Sequence, residues 1–428
     1  MKTICLLTDF YEADSTYSLN IVAETQIRMC RDAGYSVIGV VDEKFEPKRA
    51  WHEVELRHIP PPKERKNHVE FYPQLEEDVK SIHAALDVVL DGVDVIITHD
   101  MIYQCATIPL NFAARWWAKE HPAAVWLNWV HSATPSPVWT TDDRRLAPLQ
   151  RHMPNSKVCF PNAWDVPRVA QAFQCGVDDV AVVPHSTNIL QYLGFQDITA
   201  RLVREKELLS ADAIFVYPVR LDRGKQVEYV MRTAAALKYT LDRSVRVVVV
   251  DFHSTGGDKV TYRDELLALA ETLGLTDIDL TFTSQFDESL HLCAPREVVR
   301  DLMLLCNVFV MPSKSETYSL IAQEAALCGA FLVLNRSLPI LRSVFGNQAA
   351  FFEFSSAVNA LSGVDGTTDV AYDDIDSYFA GVAGRVAYEL NHNPVLAQRT
   401  RIRKERNPDY VFKRYVEPLF YLNDGRIL

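Results

Sequence analysis

The stretch Val308-Phe309-Val310-Met311-Pro312-Ser313-Lys314-Ser315-Glu316-Thr317-Tyr318-Ser319-Leu320-Ile321-Ala322-Gln323-Glu324-Ala325-Ala326-Leu327-Cys328-Gly329 decides the architecture. Its first four residues are uncharged and apolar and read as a buried strand. The polar run after them reads as a loop, and the Ala- and Leu-rich remainder as a helix. The same strand, turn and helix recur on either side. In the first half, apolar runs rich in β-branched residues fall at Thr3–Thr8, Ser36–Val41, Asp94–Thr98, Ala124–Val130, Lys157–Phe160 and Val180–Val183. In the second half they fall at Ala213–Val219, Val245–Asp251, Ile278–Thr283, Asn307–Met311, Ala330–Asn335 and Ala349–Phe354. Strands alternating with helices over about 30 residues are βαβ units, whose parallel strands are covered on both faces and so carry continuous apolar runs. Two such series predict two doubly wound α/β domains, with the boundary in the polar segment between about Ser186 and Ser210, where the strand rhythm pauses.

Composition agrees with a soluble, folded chain. Of 428 residues, 48% are hydrophobic and 23% charged, which excludes disorder and fibres. Lys and Arg number 44 against 56 Asp and Glu, a net charge of −12 that argues against a general polyanion binder while leaving room for a local basic groove. The amino terminus reaches Asp9 too soon for a signal-peptide core, and the longest run without an acid or base, His121–Thr141, carries three prolines and two histidines, so no transmembrane segment is expected. The eight cysteines are scattered, with no C-x-x-C pair, and read as free thiols in a reducing, cytoplasmic setting.

Ligands of doubly wound sheets bind outside the carboxyl ends of the strands, so residues just after strands should carry the chemistry. Phe215-Val216-Tyr217-Pro218-Val219 is followed by Arg220-Leu221-Asp222-Arg223-Gly224-Lys225 and then by a helix with Val227, Val230, Met231, Ala234 and Leu237 on one face. Arg220 and Lys225 bracket that turn beside a helix N-terminus, a place suited to a diphosphate. After the strand at Val308–Met311, Glu316 falls in the loop and Glu324 about two turns into the helix. Between them the N–H groups of Thr317, Tyr318, Ser319 and Leu320 stand free to take phosphate oxygens. Carboxylates suit the vicinal diols of sugars because each offers two charged acceptor oxygens.

Taken together, P-V-R-L-D-R-G-K and, about ninety residues on, P-S-K-S-E-T-Y-S-L-I-A-Q-E-A-A-L-C-G resemble the donor signature of retaining glycosyltransferases of family 4, an E-x7-E motif in the GT-B fold. The resemblance implies two Rossmann-like parallel-sheet domains facing a central cleft. The first, residues 1–192, would lie on the acceptor side, with a C-terminal helix at about 408–428 packing back on it; the second, residues 193–407, would bind the donor. It implies that Arg220 and Lys225 grip the diphosphate of a nucleotide sugar, most simply a UDP-sugar, that Glu316 binds the transferred sugar, and that Glu324 binds the ribose. Where the family commonly has Gly after the first Glu, this chain has Thr317 followed by the bulky Tyr318, which bears on the identity of the sugar.

The acceptor side matches the family more loosely. His99 and His131 follow two strands, and the resemblance makes His131 the residue that orients the sugar, with His99 as a second candidate. In place of a glycine-rich first loop stands a polar and aromatic segment, in which Ser15 and Thr16 would cap a helix or meet an acceptor. Lys44, Lys48, Arg49, Arg57, Lys63, Arg65 and Lys66 are interleaved with Trp51, Phe71 and Tyr72, and Arg144, Arg145 and Arg151 follow Trp139. They read as solvated loops or as a contact for a nucleic acid. Arg399–Arg406 reads as a solvated helix face.

The expected activity is retaining glycosyl transfer to a hydroxyl acceptor, a glycan, a lipid carrier or a small molecule. No cofactor and no metal are expected, since no D-x-D pair stands at a strand end suited to one and Arg220 with Lys225 supplies the positive charge. The alternatives are transfer to a hydroxymethylated pyrimidine in DNA, a GT-B-fold sugar-nucleotide epimerase, and a protein that binds the nucleotide sugar without turning it over.

Overall fold

In the computed structural model, β-branched and aromatic apolar runs form thirteen strands among the described residues, which are 2–8, 18–60, 74–102, 108–131, 149, 151–252, 259–356 and 367–424. Seven of them, β1 (Thr3–Leu7), β2 (Ser36–Asp42), β3 (Glu55–Ile59), β4 (Val95–His99), β5 (Val125–Trp129), β6 (Ser156–Phe160) and β7 (Val180–Val182), make one parallel sheet in the order β3-β2-β1-β4-β5-β6-β7. The other six, β8 (Ala213–Arg220), β9 (Val245–Phe252), β10 (Leu280–Phe282), β11 (Val308–Met311), β12 (Phe331–Asn335) and β13 (Ala350–Phe352), make a second, in the order β10-β9-β8-β11-β12-β13. Both sheets are doubly wound and Rossmann-like, and in each the strand order reverses once, beside β1 and β4 in the first and beside β8 and β11 in the second.

The chain divides into two compact units, Met1–Asn188 with Arg406–Leu428, and Ile189–Glu405. Within the first unit the Thr187 N–H donates to the Arg406 carbonyl, 2.6 Å away. Returning to the first unit, Val411, Phe412, Val416, Leu419 and Phe420 join its core with Leu19, Ile27 and Trp51. The segment is tied by Tyr35, whose hydroxyl donates to Glu417 at 2.7 Å, and by the Lys2 ammonium on the Phe420 carbonyl at 2.7 Å.

The twelve expected strands are all present, shifted by two residues at most. The thirteenth, β3, was not expected. Its sequence, Glu-Leu-Arg-His-Ile, is polar because it is an edge strand, with only Ile59 fully buried. Three expectations are corrected. Trp51, assigned to a basic and aromatic surface, is wholly buried against Gly39 of β2, where a β-carbon would stand 2.9 Å from its ring. Arg57, in the same stretch, lies in β3, its Nε donating to Glu55 at 2.8 Å and its guanidinium to the Val89 carbonyl at 2.8 Å. Nor is Arg399–Arg406 solvated throughout: Arg401 is exposed, but Arg399 and Arg403 turn inward. Arg399 donates to the carbonyls of Cys328 and Gly329 (2.7 and 3.0 Å) and of Leu304 (2.8 Å), closing the carboxyl ends of two helices. Arg403, 5% exposed, donates to the carbonyls of Leu208 and Leu209 at 2.8 and 3.1 Å. Five fixed donors let one guanidinium serve several helix-end carbonyls, which the charge pattern alone conceals.

No described helix is long and apolar enough to cross a membrane. Among the described cysteines, Cys5, Cys30, Cys159 and Cys306 are free and buried, and burial pushes their thiols up.

Candidate active site

The helix Val227–Leu241 buries Val227, Val230, Met231, Ala234 and Leu237 against the second sheet and so fixes the turn before it. β8 is buried throughout except for Arg220 at its carboxyl end, and it registers with β11 only through Val308 and Phe215. The loops leaving the two strands are tied to one another. Lys314 N–H donates to the Gly224 carbonyl at 2.9 Å, and the buried Tyr217 hydroxyl bonds the Lys225 carbonyl and Ser313 Oγ, each at 3.1 Å. Asn335 donates to the Ser313 carbonyl at 3.0 Å. The Thr367 N–H holds the Lys314 carbonyl at 3.0 Å.

On this frame Lys225 Nζ meets Glu316 Oε1 at 2.5 Å, with the two side chains 20% and 17% exposed. The residues that sequence reasoning assigned to the diphosphate and to the sugar are therefore in contact. Arg220 is half-exposed, its Nε 3.7 Å from Asp222 Oδ2. Thr317 and Tyr318 are exposed, and Ser319 is buried in the left-handed region at φ 56°, its hydroxyl donating to Met311 Sδ at 3.0 Å. That turn starts the helix Leu320–Leu327, whose first N–H groups have no partner within the helix. Glu324 is its fifth residue, little more than one turn in rather than two. One of its oxygens is taken by Arg296, and with Val299, Met303, Leu327 and Cys328 the pair lines a hollow of about 400 Å³.

In the first unit, β4 and β5 bring His99 and His131 together. His99 is buried, its Nδ1 3.0 Å from His131 Nε2 and its Nε2 3.0 Å from the Gln26 amide oxygen. Asp100 turns left-handed at φ 48° and its carboxylate accepts the His131 backbone N–H at 2.9 Å. His185, after β7, stacks on His131 with centroids 5.4 Å apart and planes 8° from parallel. Burial holds all three imidazoles below their ordinary range, His131 at about 4, with neighbouring histidines adding to the effect on His99 and His131. Sequence reasoning missed His185 and Gln26. His185 meets the same strand-end criterion as the other two, whereas Gln26 sits inside a helix and carries no local signal.

Ser15, Thr16, Lys63, Arg65, Lys66, Arg144 and Arg145 lie outside the described residues. Among the described residues no group of three His, Cys, Asp or Glu side chains could hold a metal ion.

Residues 200–363, which include Lys225, Glu316 and Glu324, match the family model described as "Glycosyl transferases group 1". The matched segment lies within the second unit, and the likeness to that family is a likeness of this segment. The whole chain is also similar to solved structures at low identity. HepE of Anabaena in complex with UDP is 14% identical, over 99% of this chain and 98% of that one, with a TM-score of 0.32. Sucrose-phosphate synthase of Thermosynechococcus elongatus is 16% identical, over 100% and 98%, with a TM-score of 0.32. A glycosyltransferase of Rickettsia africae is 12% identical, over 99% and 97%, with a TM-score of 0.33. The fold stands on the strand order given above and not on these likenesses. No curated protein matches the chain.

Proposed function

We propose that this chain is a retaining glycosyltransferase that takes a nucleotide-diphosphate sugar, by default a UDP-sugar, and passes the sugar to an acceptor hydroxyl. The observation that carries the reading is the Lys225–Glu316 contact on two loops tied together where the second sheet's strand order reverses. Lys225 and Arg220 would take the diphosphate and balance the charge that builds on it as the glycosidic bond breaks, in place of a metal ion. The helix start at Leu320 adds N–H donors to the same anion. Glu316, released from Lys225 by the phosphate, would hold hydroxyls of the sugar, and the free oxygen of Glu324 would meet the ribose diol. In the first unit, His131 would accept a hydrogen bond from a substrate hydroxyl.

The reaction is a displacement on one face of the sugar. The bond from the anomeric carbon to the leaving phosphate oxygen breaks, the bond to the acceptor oxygen forms, and the acceptor proton passes to the departing phosphate. No carboxylate is assigned to a covalent sugar intermediate. The test is turnover of a panel of nucleotide sugars with a panel of hydroxyl acceptors, followed by proton NMR of the anomeric centre. Transfer with the donor's configuration kept supports the reading. Inverted product, or isomerised nucleotide sugar with no transfer, overturns it.

A further inference from the structure

We propose that Gln26 is a positioning residue for His131: acting through His99, it fixes the His131 imidazole with its proton on Nε2, so that Nδ1 presents a lone pair to a substrate hydroxyl. The inference rests on the reading of His131 given above, and the arrangement of donors and acceptors carries it. Gln26 is 4% exposed and lies on the helix Ser18–Asp32, with its amide oxygen assigned to face His99 Nε2 at 3.0 Å. An amide oxygen only accepts, so His99 must carry its proton on Nε2. A neutral imidazole then has a bare Nδ1, and His99 is neutral because it is buried with two further histidines beside it. The His131 Nε2, 3.0 Å from that bare nitrogen, must therefore be the donor. Its own Nδ1 is left as an acceptor, and no described residue bonds it.

The ring cannot easily turn away from this state. Its Nε2 is engaged by His99 at 3.0 Å, and one face lies against His185. With the proton on Nδ1 instead, His131 would offer a substrate hydroxyl a donor, and Nε2 would face His99 Nδ1 lone pair to lone pair. The tautomer is thus decided about two rings away from the atom that uses it, by a side chain that need not touch substrate.

The test is long-range nitrogen–proton NMR on protein labelled with ¹⁵N-histidine, with the His131 signals assigned by their loss in His131→Asn. The wild type should show His131 as the single Nε2–H tautomer. Gln26→Met keeps the length and apolar packing of the side chain but removes the acceptor, and should give His131 as a mixture of tautomers. Turnover should fall by about tenfold, as for one misdirected neutral hydrogen bond, with the KM for nucleotide sugar little changed. A wild-type His131 protonated on Nδ1, or a tautomer unchanged in Gln26→Met, overturns the inference. A tautomer lost without any loss of turnover overturns it as well, because the lone pair is then not used. Should the wild type transfer no sugar at all, the reading of the function fails, while the tautomer measurement still decides the role of Gln26.

Discussion

Lys225 Nζ and Glu316 Oε1 lie 2.5 Å apart, so the cation we assign to the diphosphate and the carboxylate we assign to the sugar are paired with one another in this structure. Both side chains are largely buried, and such a pair returns part of its desolvation cost only while both partners are present. Donor binding would exchange the partner of each.

That exchange separates binding from turnover. Glu316→Gln should lower turnover of the nucleotide sugar by roughly 10²–10³, if the carboxylate acts most strongly on charge developing in the transition state. Steady-state rates with saturating donor check this; a rate within a few-fold of wild type removes Glu316 from the reaction.

Glu324→Ala should weaken nucleotide binding, because its free oxygen is the one assigned to the ribose. Arg296→Ala should cost little by comparison, since Arg296 is 84% exposed and surface pairs contribute about 0–1 kcal/mol. Equal losses of nucleoside affinity in the two variants would mean that the pair acts as a unit and that Glu324 does not meet the nucleotide by itself.

The histidine row makes stability depend on pH with a definite sign. His131 is pulled down to about 4 from an ordinary value of 6.5, mainly by burial, while the unfolded chain titrates at the ordinary value. Between those values the unfolded state holds more protons, so stability falls as the pH falls from about 6.5 towards 4. His99 and His185 face the ring, Asp100 holds its backbone N–H, Gln26 faces His99, and both other histidines are displaced in the same direction. Urea unfolding from pH 7.5 to 4.5 should show this slope, and His131→Asn should flatten it.

Arg403 should be a structural residue in spite of its charge. Replacing it by Met leaves the Leu208 and Leu209 carbonyls without their donor and should cost about 2–4 kcal/mol in urea unfolding. Exposed Arg401→Met should cost less than about 0.5 kcal/mol.

How much of this was legible in the sequence follows from burial. Strands such as Val245–Phe252, covered on both faces, announce themselves as apolar runs, and Lys225, Glu316, His99 and His131 could be named from their places at or after strand ends together with the family resemblance. β3 escaped because an edge strand has no need of an apolar face. Trp51 was misread because its burial depends on a neighbouring strand residue without a side chain, Gly39, and Arg399 and Arg403 because their partners are helix-end carbonyls 71 and 195 positions away. Gln26 was invisible for the same reason, since it meets His99 across 73 positions.

The most direct measurement is calorimetric titration of UDP into the wild type, Lys225→Ala and Glu316→Gln. If Lys225 takes the diphosphate, Lys225→Ala should lose about 2 kcal/mol or more of binding free energy. Glu316→Gln, which frees Lys225 from its competitor, should bind UDP at least as tightly as the wild type. UDP affinity unchanged in Lys225→Ala would contradict the account.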